Sequence, residues 1–171
     1  MTTKANQDIA DEICRMADED QHARTEMARM SSALRAIDAA NTATMRALIA
    51  QIGWPTRSKV GERAEHRAWL LVQHADADRD FQRSCLELMK RESADEVCRK
   101  HIAYLEDRLA VAEGRPQTYG TQLRQTAAGT FEPVAIEDAS RVDERRAAVG
   151  LEPLSDYRRR QAPAADPNAP R

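Results

Sequence analysis

Apolar side chains recur at three- and four-residue steps along most of the chain, and this spacing narrows the available folds more than any other feature. Ile9, Ile13, Met16, Met27 and Met30 draw a stripe along one face of a helix over about residues 5–30. Leu34, Ile37, Met45, Leu48 and Ile52 draw a second, which Gly53 suits as a left-handed cap and Trp54-Pro55 prevents from continuing. A third helix is expected over Glu62–Ala75. Its Trp69-Leu70-Leu71-Val72 run is apolar on every side, and alanine-rich, charged flanks favour a central helix over a buried strand. Phe81, Cys85, Leu88 and Met89 mark a fourth, capped by Asp76 or Asp78. The pattern Ser93-x-x-Glu96 reads as a capping box opening a fifth, through Glu113, with Cys98, Ile102, Leu105 and Leu109 on one face and Gly114 as its stop.

Beyond Gly114 the periodicity changes. Gln117–Thr126 and Thr130–Ile136 are short, richer in Thr and Val, and predict a small hairpin or extended arm near 117–136. A short helix starts at Ser140-x-x-Asp143 and ends at Gly150. The expected fold is therefore mainly α, a single-domain bundle of about five main helices over residues 1–158, followed by a disordered Pro/Ala-rich tail at 159–171. Aromatic residues make up only 4% of the chain, which agrees with helices rather than strands.

Several function classes lose support at this stage. The strongest apolar run, Ala68–Val72, is far short of the ~20 residues a membrane span requires. The N-terminus has no apolar stretch of the secretory kind, so the expectation is a soluble, cytoplasmic protein. Both signs of charge are mixed along the chain with a net charge of -2, leaving no basic stripe for nucleic acid. Cys14, Cys85 and Cys98 are odd in number and read as reduced thiols. There is no nucleophile elbow, phosphate-binding loop or dinucleotide fingerprint. Asp76-x-Asp78-x-Asp80 with Glu87 imitates a calcium loop, but Phe81 stands where that loop needs Gly, so helix capping explains the acids better. No H-E-x-x-H or Cys/His cluster occurs, no metal ligands are assigned, and the cofactor is unknown.

What remains is a set of polar groups in unexpected places. Asp20 and Arg24 interrupt the first apolar stripe, and Asp38 and Asn41 interrupt the second. His74 lies between Gln73 and Asp76, with Gln82 further on; Asp107-Arg108 shares a helix with Tyr104. The loop Arg115–Gln122 is dense in donors and acceptors, with Gly120 allowing close backbone approach. For each there is a structural reading. Asp20–Arg24 and Asp107–Arg108 can be ion pairs that fix helix registry, His74 a buried histidine bonded to a carbonyl or carboxylate, and His22 and His101 members of solvated faces.

Read together, Gly53-Trp54-Pro55-Thr56, Val60-Gly61, Ala68–Asp76 (AWLLVQHAD), Phe81-Gln82, Ala103–Arg108 (AYLEDR), the Gly114–Gln122 loop ending in YGTQ, and Val142–Arg146 (VDERR) form an ordered series. The chain resembles an uncharacterised bacterial domain-of-unknown-function family with this pattern over about residues 15–158. The resemblance extends to Asp20-Gln21-x-x-Arg24 and Asp38-x-x-Asn41, which implies that these polar positions belong to the pattern; it carries no reaction or ligand with it. Ala94-Asp95 departs from it, where relatives have Gly.

The expected function is binding of a small polar molecule in a polar pocket of the bundle, with an anionic ligand as the narrower option and acid/base or hydrolytic chemistry as a further one. His74, Asp107, Asp20 and Asp76 are the candidate catalytic groups; Arg24, Gln73, Arg108, Tyr119 and Gln122 are the candidate substrate-binding groups. The alternative is a noncatalytic protein-interaction module whose buried polar pairs are structural. Met- and Ala-rich helix faces leave room for a homodimer.

Overall fold

The computed structural model describes residues 3–26, 31–127 and 130–161. They fall into two compact units, Met1–Leu105 and Glu106–Arg171. The fold is mainly α, with a small two-stranded sheet.

The first unit contains α1 (Lys4–Glu26), α2 (Ser31–Ile52), α3 (Arg57–Gln73) and α4 (Arg79–Arg91). The α1 helix packs along α3, and both touch α2, while α4 folds back on α3. Ile13, Met16 and Ala17 of α1, Met45 of α2, Ala68 and Val72 of α3, and Phe81 and Cys85 of α4 are buried, as the stripes require. Met27 and Met30 lie outside the described residues. Gly53 takes the left-handed conformation (φ 70°) and ends α2.

Two helix boundaries differ from expectation for a shared reason. Helical structure starts at Arg57 rather than after Gly61, and Gly61 (φ 83°, ψ 161°) breaks α3 near its beginning. The Ser93–Glu96 segment does not open a helix. Ser93 O accepts the N–H groups of Glu96 and Val97 in a turn, and α5 (Arg99–Ala112) starts only at Arg99. Glu96 serves α3 instead: its carbonyl accepts Arg57 N at 3.0 Å and its carboxylate accepts Ser58 N at 3.0 Å. Two orphan N–H groups of the first turn of α3 are thereby met by one residue, which lies 38 positions beyond Ser58. The Ser58 N–H holds the Glu96 carboxyl below its usual range.

The second unit takes the end of α5, β1 (Leu123–Gln125), β2 (Phe131–Pro133), a 3-10 turn at Ala139–Arg141, α6 (Val142–Ala148) and α7 (Leu154–Gln161). The strands pair antiparallel, Leu123 opposite Pro133 and Gln125 opposite Phe131, within the arm expected at 117–136. Helix α7 extends to Gln161, past the boundary at which a disordered tail is expected; residues 162–171 lie outside the described residues.

Gly120 shows how tightly this unit closes. Its φ is +70°, and a Cβ there would stand 2.9 Å from Ile136 Cδ1 and 3.0 Å from Leu154 Cδ1. Gly120→Ala combines left-handed backbone strain with overpacking, and about 2–4 kcal/mol of unfolding free energy should be lost in urea titration. An unchanged midpoint would show that the loop relaxes freely.

Candidate functional site

The residues singled out in the sequence form two groups, one in each unit. In the first unit, Asp20 and Arg24 stand one turn apart on α1, His74 ends α3, and Asp38 faces them from α2. Asp20 is fully buried, and its Oδ2 lies 2.8 Å from His74 Nδ1 and 3.1 Å from Arg24 Nε. Arg24 Nε is also 3.0 Å from His74 Nδ1, so the three atoms make a nearly equilateral triangle. A bare Nδ1 would set its lone pair against a carboxylate oxygen at 2.8 Å. We therefore assign the proton to Nδ1, with both N–H groups converging on Oδ2. His74 Nε2 is left as the acceptor, with no partner among the described residues.

The guanidinium of Arg24 completes the cluster. Its Nη2 donates to Asp38 Oδ1 and stands 3.0 Å from Asp20 Oδ1 as an ion pair. Burial alone would raise the Asp20 carboxyl, but the hydrogen bonds from His74 and Arg24 outweigh it and hold the group below its ordinary value. Asp38 goes the other way. Burial and the neighbouring Asp20 charge push it up against the pull of Arg24. Two carboxylates within one cluster are thus driven apart, a pattern associated with division of acid and base roles. Asp20, Asp38 and His74 each offer a ligand atom within 4.8 Å of the others, a spacing that would suit a metal ion. Arg24 contacts all three residues and already supplies the positive charge that a cation would bring.

Asp38 and His74 line a cavity of about 610 Å³. One wall is a single face of α2, and the other is the turn from His74 to Asp78. Asp76 and Asp78 belong to that turn. Asp78 Oδ1 caps α4 by accepting Phe81 N at 3.0 Å, one of the two capping residues expected, whereas Asp76 forms an ion pair with Arg79 at 3.0 Å. Gln73 is buried; its carbonyl accepts from Gln82 Nε2 at 3.3 Å, and the Val72 carbonyl from the same nitrogen at 3.0 Å. This fastens α4 to the end of α3.

Asp107, Arg108, Tyr119 and Gln122 belong to the second unit. The Asp107 carboxylate is fully buried and accepts from Thr118 N (2.7 Å), Tyr119 N (3.0 Å), Thr121 N (2.9 Å) and Thr121 Oγ1 (3.0 Å). The loop is wound around it. Gln117, also fully buried, repeats the device: Oε1 accepts Gln122 N, and Nε2 donates to the carbonyls of Gln122 and Val134. Tyr119 O accepts from Arg146 Nη1 at 2.7 Å, while burial and then the Glu106 and Asp107 charges raise the Tyr119 phenol. Gln122 Nε2 donates to Thr121 Oγ1 at 3.1 Å. Arg108 is half-buried on α5.

One polar cluster was missed. His101, expected on a solvated face, is buried, with Nδ1 3.1 Å from the buried Glu65 carboxylate and Nε2 3.0 Å from His66 Nδ1. It stacks flat on Trp69 at 4.3 Å between centroids. His101 follows Arg99 and Lys100 at the start of α5, a context that reads as solvated, and the partner that encloses it is 36 positions away, so only folding could reveal it. His22, by contrast, is exposed. Asp38 did leave a signal, as a carboxylate interrupting an apolar stripe.

No helix among the described residues is long and apolar enough to cross a membrane. Comparison with curated proteins and with solved structures returns no match. A family profile does match, over nearly the whole chain: the protein belongs to the family of unknown function DUF6624, whose profile covers residues 1–165.

Proposed function

We propose that the first unit binds a small polar molecule in the cavity beside His74 and that His74 acts on it as a general base through Nε2. The observation that carries this reading is the 2.8 Å contact between His74 Nδ1 and the fully buried Asp20, at the wall of a cavity of about 610 Å³. An imidazole whose Nδ1–H is fixed by a carboxylate presents Nε2 in one tautomer and is stabilised as the cation that forms on proton transfer. Arg24 holds Asp20 and Asp38 in place. A cavity of this volume is of the size that takes metabolites, which favours ligand binding over a purely interacting module.

Asp107, Tyr119 and Gln122 have a different part in this proposal. Their hydrogen bonds build the loop of the second unit, and the reading assigns them no proton transfer. The free thiols of Cys14, Cys85 and Cys98 suit a reducing compartment, with Cys85 pushed up to about 12 by burial, and we read the protein as a bacterial cytoplasmic one.

Native mass spectrometry of the purified protein should reveal a retained small molecule. Incubation with a pool of polar metabolites should consume one of them. His74→Gln should lower that consumption by roughly 10²–10⁴-fold, the usual worth of a positioned base, with the thermal midpoint held nearly constant because His74 is partly exposed. A variant as active as the parent would remove His74 from the chemistry.

A further inference from the structure

The charges around the cavity also restrict what it can take. Asp38 is engaged by Arg24, Asp76 by Arg79, and Asp78 by both Phe81 N and Arg46, whose Nη2 lies 2.6 Å away. Arg46 is further seated 4.7 Å over the Phe81 ring. Each carboxylate of the lining therefore has its countercharge. Arg35 lines the same cavity and has no ion pair or hydrogen bond among the described residues.

Its position is specific. Arg35, Asp38, Thr42 and Arg46 follow one another on α2 at three- and four-residue steps, so they share one face of the helix. Arg35 and Asp38 are about one helical turn apart, roughly 5 Å along the axis. A group seated on Arg35 would thus leave the adjoining atoms of a small molecule beside Asp38 and His74. Ala39, Ala43, Ala75 and Ala77 keep the space between the walls open.

We propose that the molecule bound in this cavity carries an oxyanion, a carboxylate or a phosphate, which pairs with the guanidinium of Arg35. This rests on the ligand-binding reading of the cavity and names its ligand class. A guanidinium offers parallel N–H donors that match two oxygens of either anion. Arg35 sets which molecules enter, while Arg24, tied to Asp20, Asp38 and His74, takes no part in anchoring them.

The test is calorimetric titration of the full chain with inorganic phosphate and, separately, with succinate. The parent protein should bind at least one of them; phosphate alone would identify a phosphate ester class, succinate alone a carboxylate class. Arg35→Gln should weaken that binding by roughly 10- to 100-fold, the loss of one charge-assisted pair. Arg35→Lys should retain part of it, and Arg99→Gln, an exposed arginine absent from the cavity lining, should leave it unchanged. Absence of binding by the parent, or equal binding by Arg35→Gln and the parent, would overturn the proposal. The same titrations of His74→Gln separate the two readings. Loss of turnover with the anion still bound supports both. Loss of turnover in His74→Gln with Arg35→Gln indifferent to both anions sinks the anion assignment alone, and anion binding lost in Arg35→Gln with His74→Gln fully active sinks the base assignment alone.

Discussion

Asp107→Ala is expected to cost roughly 3–5 kcal/mol of unfolding free energy, the largest stability effect of any single substitution considered. The carboxylate accepts three backbone N–H groups and one hydroxyl from residues 118–121. Once the carboxylate is gone the donors remain in a half-buried to buried loop held by Arg146, which donates to Tyr119 O, and by Tyr157, whose OH donates to Thr121 O at 2.9 Å. A buried donor without an acceptor loses its hydration and recovers nothing. Asp107→Asn should cost less, because one amide oxygen can still accept. Equilibrium urea unfolding measures both. A loss below about 1 kcal/mol for the alanine variant would mean that the loop finds other acceptors.

On the proposed reading of His74 as the base, Asp20→Asn should have the largest effect on function. An amide has nearly the shape of the carboxylate but can present N–H to His74 Nδ1, which reverses the tautomer and moves the proton onto Nε2. A base so reversed loses roughly 10³–10⁴-fold in turnover. The same substitution has a second signature. The folded-state value of Asp20 lies below its unfolded value, so its stabilising contribution is present above the ordinary carboxylate range and disappears as pH falls through the folded value. Asp20→Asn should therefore flatten the acid limb of the stability profile. Asp38 has the opposite sign. Its folded-state value is raised, so stability is lost as pH rises from the ordinary carboxylate value through the folded one, and this loss partly masks the Asp20 contribution near neutrality. Unfolding midpoints between pH 3 and 7 for parent and variant read the difference. Parallel profiles would show that Asp20 carries no linked proton.

The legible part of this protein was its periodic part. Spacing alone assigns Ile13, Met16, Met45, Phe81 and Cys85 to the core, and they are buried, because a helix repeats its faces whatever lies opposite. The same logic found Asp20 and Arg24: a charge on an apolar face must be paired, and its pair was one turn away. It also marked Asp38, though not as the partner of Arg24, since nothing local relates positions 14 apart on different helices. The capping box failed for the complementary reason. Ser93-x-x-Glu96 is a correct local pattern, and the Glu96 carboxylate does meet an orphan helix N–H, but of α3. His101 likewise had the sequence context of a surface residue until Glu65 and Trp69 enclosed it.

The sequence by itself determined α1 to α6 as helices, though not α7, together with the hairpin and the short list of polar residues out of place, since each of these depends on neighbours within about one or two turns. Only the tertiary structure decided which of those residues share a site. It put Asp20, Asp38 and His74 around the Arg24 guanidinium beside a cavity, gathered Asp107, Tyr119 and Gln122 with the loop of the second unit, and left Arg35 on the cavity wall with no hydrogen bond or ion pair among the described residues. The physical reason is that helix formation is a short-range property, whereas the pairing of charges follows from how helices pack, and packing joins residues 50 or more positions apart.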